Sequence, residues 1–474
     1  MNIVWFRRNL RLEDNLPLYR AIKANKPILP IFIFDTNILA HFPNRHDRRV
    51  NFIAAALFNM HQKLQSMGAK MNIFHGDPKI LIPNLVAALK ANDILVENIY
   101  ADEDFEPSNT ERDNNVAQQG NYQLNLICDH LLLRPGNVLN NQGQPFKVFT
   151  PFSKAFKEKL VSASIKPAEY SLHSAEFFNL PENTSNQIKV IKFNNVTEIV
   201  QNIGYHRVQD DLWKADDAQN RLDGFIKNKI SNYKSARDFM DEDSTSQLSP
   251  FIRFGLISIR TCFIQGYDKP HSDMWINELL WREFYANILF HFPHTVDTEF
   301  ISTYANKLPW RQDQKMLEVV ENSQTGFPII DAAMRQLTTD GWMHNRSRMI
   351  VASFVTKNLL LDWRLGEQLF AKYLMDYDLA SNLGGWQWSA SCGTDAQPYF
   401  RIFNPILQAQ KFDPQAKYIK KYLPELASVD SPNIYDGDKI SKLYPILNYP
   451  KPIVDYHASR ELALKVFDPK NLYS

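Results

Sequence analysis

Asp376-Tyr-Asp378-Leu-Ala-Ser-Asn382-Leu-Gly384-Gly385-Trp386-Gln-Trp388 is the stretch on which the reading of this chain turns. Two carboxylates, the Asn382 amide and two tryptophans fall within thirteen positions, around a double glycine. Gly384-Gly385 lets backbone approach a ligand closely or take up a positive φ. Asp378 and Asn382 are four apart and share a face if the segment is helical. Taken alone, the stretch also reads as a helix that ends in a turn with aromatics tucked beneath it. Its neighbours decide against that.

Upstream lies Thr325-Gly-Phe-Pro-Ile-Ile-Asp331-Ala-Ala-Met-Arg335, running on to Gly341-Trp342-Met-His344-Asn345-Arg346-Ser-Arg348-Met349. Asn345, Arg348 and Met349 are spaced i, i+3, i+4, on one helical face. Before that comes Trp275-Ile-Asn-Glu278-Leu-Leu-Trp281-Arg282-Glu283-Phe284. Thr245-Ser246-Gln247-Leu248-Ser249-Pro offers hydroxyls and backbone N–H groups at a helix start, a ready anion site, although the same pattern serves as a plain N-cap. The chain opens on Trp5-Phe-Arg-Arg-Asn-Leu-Arg-Leu-Glu-Asp-Asn-Leu-Pro-Leu. These motifs, in this order and over nearly the whole chain, resemble the photolyase/cryptochrome family, and within it the class I cyclobutane pyrimidine dimer photolyases.

The resemblance implies FAD, held by Tyr233, Thr245, Ser246, Gln247, Leu248, Ser249, Trp275, Asn345, Arg348, Asp376, Tyr377, Asp378 and Asn382. Arg348 would pair with Asp376 beside the flavin ring. Asn382 would lie against the central-ring nitrogen, where a neutral amide tunes the cofactor without fixing a charge. The family often has a basic residue where this chain has Gln247. Trp386, Trp363 and Trp310 match the family's electron-transfer row, with Trp386 nearest the flavin and Trp310 nearest the surface. Glu278, Trp281, Met349 and Trp388 match its lesion pocket, with Glu278 also counted among the catalytic residues. Arg237, Arg282, Arg346 and Arg401, with Asn345, are the candidates for DNA contact. His344-Asn345 follows the cyclobutane-dimer pattern; photolyases of the six-four photoproduct typically carry His where Asn345 stands. The implied reaction is light-driven splitting of pyrimidine dimers in DNA by an electron from excited reduced FAD. The rival is a cryptochrome-type light sensor without repair. The chain stops at Ser474, without the extended tail common in signalling cryptochromes.

Family members often bind a second, antenna chromophore on the N-terminal domain, most commonly methenyltetrahydrofolate or a deazaflavin. Asn44 to Arg49 and Glu106 to Arg112 are the candidate stretches. Folate-binding members carry Asn-Glu where this chain reads Ser108-Asn109, so the carboxylate expected to hold a pterin is either missing or displaced to Glu111. Both stretches read equally as helix starts, with Asp47 as a cap and Pro107 at a first helical position. The antenna stays open between pterin, deazaflavin and a second flavin.

Composition bounds the rest. At 474 residues, 44% hydrophobic and 22% charged, the chain is long enough for more than one domain with a sizeable core. A net charge of +1 gives no global pull on nucleic acid, so a DNA site has to be a local basic patch. Cys128, Cys262 and Cys392 have no metal-ligand spacing, and no metal is expected; free thiols in a reducing compartment are the plain reading. Arg7-Arg8 breaks the only apolar run at the N-terminus, and no run spans a bilayer. A cytoplasmic monomer is expected.

Along residues 1–130 short apolar runs (Ile3 to Phe6, Ile28 to Phe34, Met71 to Phe74, Leu95 to Tyr100, Leu124 to Ile127) alternate with helical patterns near 15–24, 48–67, 78–91 and 107–118. That alternation means βαβ units and a parallel sheet. Residues 131–205 read as a long connecting segment with a helical pattern at 151–161, and 206–474 as an all-helical domain. The expected fold is an α/β parallel-sheet N-terminal domain plus an all-α C-terminal FAD-binding domain.

Overall fold

The computed structural model describes residues 1–301, 307–468 and 470. The chain divides into two compact units. The first comprises Met1–Asn137, Phe156–Asn228 and Ser246–Ser272; the second comprises Val138–Ala155, Lys229–Thr245 and Asp273–Ser474.

The first unit is built on five parallel strands, β1 (Asn2–Phe6), β2 (Ile28–Asp35), β3 (Asn72–Gly76), β4 (Asn98–Asp102) and β5 (Gln123–Ile127), in the order β3-β2-β1-β4-β5. Between them run α1 (Leu16–Lys23), α2 (Arg48–Gln65), α3 (Pro78–Lys90) and α4 (Pro107–Gln118), where the sequence pattern puts them. Strand β1 is central, with Trp5 opposite Ile31 on one side and Ala101 on the other. Val4 and Phe6 join one core with Leu57 and Leu64 of α2. Ile3 and Trp5 join another with Leu85 and Leu89 of α3. Both faces are therefore covered, which is why the strands read as unbroken apolar runs. The chain winds β1-β2-β3 to one side and then returns to β4-β5 on the other. The crevice beyond Phe6 and Asp102 is the switch point where such sheets take ligands.

Strand β4 starts later than its apolar run suggests. Leu95 is exposed, while Asp102 is buried inside the strand end. Asp102 is satisfied there by the Asp129 N–H at 2.8 Å and by His130 Nδ1 at 3.0 Å.

The second unit is helical. Its site-bearing helices are α5 (Asp273–His291), α6 (Pro328–Asp340), α7 (Asn345–Ser353), α8 (Trp363–Tyr373), α9 (Leu379–Ser389) and α10 (Tyr456–Phe467). Gly341 ends α6 at φ +66°, a left-handed turn that lets the chain reverse into α7. One core carries residues of all these helices, including Leu289, Leu337, Val351, Trp363, Trp386 and Phe467. Helix α9 packs on α5, α7 and α8. No helix among the described residues is long and apolar enough to cross a membrane. Among the described residues the three cysteines form no disulfide.

Candidate active site

Helix α9 starts one residue later than a shared Asp378–Asn382 face requires. Asp378 is its N-cap: Oδ1 accepts from Ser381 N at 3.1 Å and from Ser381 Oγ at 2.9 Å. Asn382 sits inside the helix. Its Nδ2 donates to Glu367 Oε1 at 2.9 Å and to the Glu367 carbonyl at 3.1 Å, both from α8. Tyr377 Oη donates to the same Oε1 at 2.9 Å. Two acceptors on one side fix the amide orientation, because only an NH2 serves both. Asn382 Oδ1 is thereby turned away as an acceptor. Burial raises the Glu367 pKa, and the Asn382 and Tyr377 hydrogen bonds oppose the rise. Nothing in the local pattern singles out Glu367, which reads as an ordinary helix-surface glutamate.

The double glycine takes neither positive φ nor a turn; both residues lie within α9. Their surroundings differ. A Cβ on Gly384 would stand 2.1 Å from the Tyr285 ring, whereas one on Gly385 would meet nothing within 4 Å. Gly385 is three residues from Asn382, on the same side of the helix.

Arg348 of α7 donates from Nη2 to Asp376 Oδ2 at 2.8 Å and from Nε to the Met343 carbonyl at 2.8 Å. Asp376 is 8% exposed, and its Oδ1 is buried without a partner. A buried carboxylate oxygen left unpaired costs on the order of 1–3 kcal/mol or more. Here it offers an acceptor for a donor brought by a ligand. On the same helix Asn345 is exposed and its Nδ2 lies 3.8 Å from Met349 Sδ. His344 caps α7 through Nδ1, and burial lowers its pKa to about 4, so it is neutral near pH 7.

Helix α5 carries Trp275, Glu278, Trp281 and Tyr285 at helical spacing. Trp275 is buried. Glu278 accepts from Arg237, and Arg237 in turn lies over the Tyr233 ring at 5.7 Å. Burial raises the Glu278 pKa against the pull of Arg237. Trp281 is stacked on Phe149, with centroids 3.8 Å apart and planes 6° apart. One indole face is thus covered by a residue the sequence reading left out. Trp388 is half-buried. Of the arginines, Arg346 pairs with Asp238 at 2.8 Å and Arg282 with Glu283 at 3.9 Å, while Arg401 is exposed beside an exposed Phe400.

Of the three remaining candidate tryptophans, two are buried and one is half-buried. Trp386 is 2% exposed and meets Phe370 edge-on at 4.8 Å. Trp363, fully buried at the start of α8, donates from Nε1 to Glu299 at 3.2 Å under the Arg364 guanidinium. Trp310 is half-buried against Phe467, and its neighbour Arg311 is hydrogen-bonded to Leu360 and Asp362, which lead into α8.

In the first unit Leu248 is buried and precedes a short helix, Ser249–Arg253. Gln247 takes φ +49°, and Arg221 Nη1 donates to its Oε1 at 3.1 Å. A guanidinium thus stands beside the position where a basic residue was expected. Thr245 ends a segment of the second unit, and Ser246 opens one of the first. Both antenna stretches are helix starts. Asp47 caps α2 through the Arg49 N–H at 2.8 Å, and Pro107 opens α4. Glu111 is exposed; the carboxylates that hold Asn109 are Asp104 and Glu106.

Residues 2–170 match the family model of DNA photolyase, and residues 275–469 match that of the FAD binding domain of DNA photolyase. A deoxyribodipyrimidine photo-lyase of Alkalihalophilus pseudofirmus is 36% identical, with 98% of each chain covered. That of Escherichia coli K12 is 34% identical over the same shares. The chain belongs to the DNA photolyase family. Among solved structures it is similar to a class III photolyase of Agrobacterium tumefaciens (30% identity, TM-score 0.80, 98% and 96% covered). It is likewise similar to a Sulfolobus tokodaii photolyase with two FAD molecules (28%, 0.79, 98% and 99%). The match to the FAD binding domain of DNA photolyase spans the residues of the Asn382–Glu367 and Arg348–Asp376 pairs and Trp310, Trp363 and Trp386.

Proposed function

We propose that the protein splits cyclobutane pyrimidine dimers in DNA under near-UV or blue light. The reading rests on 34–36% identity to deoxyribodipyrimidine photo-lyases over nearly the full length, in a chain that keeps Glu278, Trp281 and Met349. A sensor has no need of all three, which sets the cryptochrome reading aside. Reduced FAD, when bound, supplies the light-excited electron that opens the dimer and then returns. Tyr233, Trp275, Asn345, Arg348, Asp376, Tyr377, Asp378 and Asn382 are the second unit's residues for it. The unpaired Asp376 Oδ1 fits a ligand N–H or O–H. In the first unit Ser246 to Ser249 offer anion donors, with Arg221 adding charge.

For the substrate, the Trp281 face turned away from Phe149 and the half-buried Trp388 indole are stacking surfaces for extruded pyrimidines. Glu278, held by Arg237, presents a carboxyl group to a pyrimidine edge. Arg346 and Arg401 are rim candidates for phosphate. An antenna chromophore would sit at the carboxyl ends of β1 and β4, where Arg7 Nη2 and Arg112 Nη2 are buried without partners. Methenyltetrahydrofolate, a deazaflavin and a second flavin all offer polar edges to such donors. We place the protein in the cytoplasm as a monomer.

Trp281→Ala tests the pocket. It should erode preference for dimer-containing over intact DNA while leaving salt-dependent binding to intact DNA in place. Full lesion preference in that variant would remove the pocket assignment.

A further inference from the structure

Lys357 is fully buried in a short π-helical segment, Phe354–Asn358, that follows α7. Such segments break helical regularity and recur at functional sites. Its Nζ donates to Ser391 Oγ at 2.9 Å and stands 3.3 Å over the centre of the Phe467 ring. The other face of this arrangement is an indole: Phe467 meets Trp310 edge-on at 5.6 Å. Nζ therefore lies within about 9 Å of the Trp310 ring, inside a Debye length and screened by protein, not water. The same lysine touches the segment after α9, which carries Trp386, and lies six residues before Trp363.

We propose that Lys357 governs electron flow along the tryptophan row: with its amine neutral, Trp310 gives up an electron readily, and with its ammonium charged it does not. This rests on the relay reading above. In the step, Trp310 loses one electron to an already oxidised Trp363, which has supplied Trp386 and the light-excited flavin. The flavin side is reduced and Trp310 becomes an indole radical cation. A thiol in solution returns the electron and is itself oxidised towards disulfide. No proton moves within the protein, because Trp310 Nε1 is buried without an acceptor. The positive charge on Trp310 thus persists and meets the charge of Lys357 at short range.

The surroundings set the switch near neutrality. Burial lowers the Lys357 pKa to about 7. Helix α10 presents Ser459, Ala463 and Phe467 inward, while its His457, Arg460, Glu461 and Lys465 are exposed. From the end of α9 come Ser391 and the Cys392 thiol, whose pKa burial pushes up so that it stays protonated. Glu299, Arg364 and Asp362 act on Cys392, and Cys392 is the titratable neighbour that acts on Lys357, raising its pKa against burial. Asn358, next along the segment, is bonded to Ser459.

The test uses oxidised holoprotein under pulsed blue light, with the indole radical followed by transient absorption, which thiol ionisation does not touch. In the wild type its yield should rise about threefold or more between about pH 6 and 8.5. Lys357→Met should be high and flat, and Lys357→Arg low and flat. A flat wild-type profile, or a Lys357→Met profile that keeps the slope, overturns the proposal. If neither variant retains flavin, the wild-type yield is compared with the NMR titration of 13C-labelled lysine Cε. A shared midpoint supports it and separate midpoints overturn it. The relay reading fails separately, if Trp386→Phe leaves the radical yield unchanged.

Discussion

The double glycine of α9 gives two substitutions with opposite expected effects. In Gly384→Ala the new methyl would stand 2.1 and 2.2 Å from Tyr285 Cδ1 and Cε1. Ordinary contact begins near 3.4 Å, so the ring, or α9 against α5, has to move by about 1 Å. Overpacking of this kind costs about 1–3 kcal/mol, which for a unit of this size lowers Tm by a few to about ten degrees. In Gly385→Ala nothing lies within 4 Å of the methyl, and α9 gains helix propensity. The apoprotein should be as stable as wild type or firmer by up to about 1 kcal/mol. If the open space beside Gly385 and Asn382 is where the flavin lies, however, this variant should lose cofactor. The assay is Tm by differential scanning calorimetry on flavin-stripped protein, paired with flavin absorbance after reconstitution. Gly384→Ala should fall in Tm; Gly385→Ala should hold its Tm and fall short in bound FAD. Full flavin content in Gly385→Ala with unchanged affinity would refute the placement of the ring along this face.

Glu367→Gln keeps an acceptor oxygen for Asn382 and Tyr377 and removes a carboxylate that burial disfavours, so stability near pH 7 should hold or rise by about 1 kcal/mol. It should also speed air re-oxidation of reduced flavin, followed by absorbance; wild-type re-oxidation would show that Glu367 does not set the Asn382 orientation. Trp386→Phe should abolish photoreduction of oxidised flavin while chemically reduced protein still splits dimers, as a flash-photolysis and repair pair would show. Lys357 is lowered in the fold from 10.5 to about 7, so folded protein binds fewer protons than unfolded between those values, and stability climbs with pH across that window. Lys357→Met removes the charge penalty, about 5 kcal/mol at most, and should raise Tm near pH 6.5 much more than near pH 10. An equal Tm difference at both would show that Lys357 titrates normally.

The strands of the first unit were legible because a sheet covered on both faces needs unbroken apolar runs, and Ile28 to Phe34 is one. The α7 face was legible because Asn345, Arg348 and Met349 are local neighbours. What escaped was long-range or conformational. Glu367 is fifteen residues from Asn382 and gains its role only when α8 packs on α9. Phe149 reaches Trp281 across more than a hundred residues, and nothing near either position announces the stack. Arg221 supplies charge beside Gln247 from another helix. Gly384 reads as a turn residue in sequence, yet it is required by the Tyr285 ring inside a helix. Asp378 reads as sharing a helical face with Asn382 but caps the helix instead. Glu367, Phe149, Arg221 and Tyr285 all come from segments distant in sequence, so packing and not local periodicity sets these neighbours.

The most direct test of the central claim is a repair assay on purified, chemically reduced protein with an oligonucleotide bearing one thymine dimer, run in parallel in blue light and in darkness. Loss of the dimer in light only, with intact thymines recovered in equal measure, is the expected result. Dimer loss at the same rate in the dark, or none in light from protein that carries reduced FAD, would contradict the account.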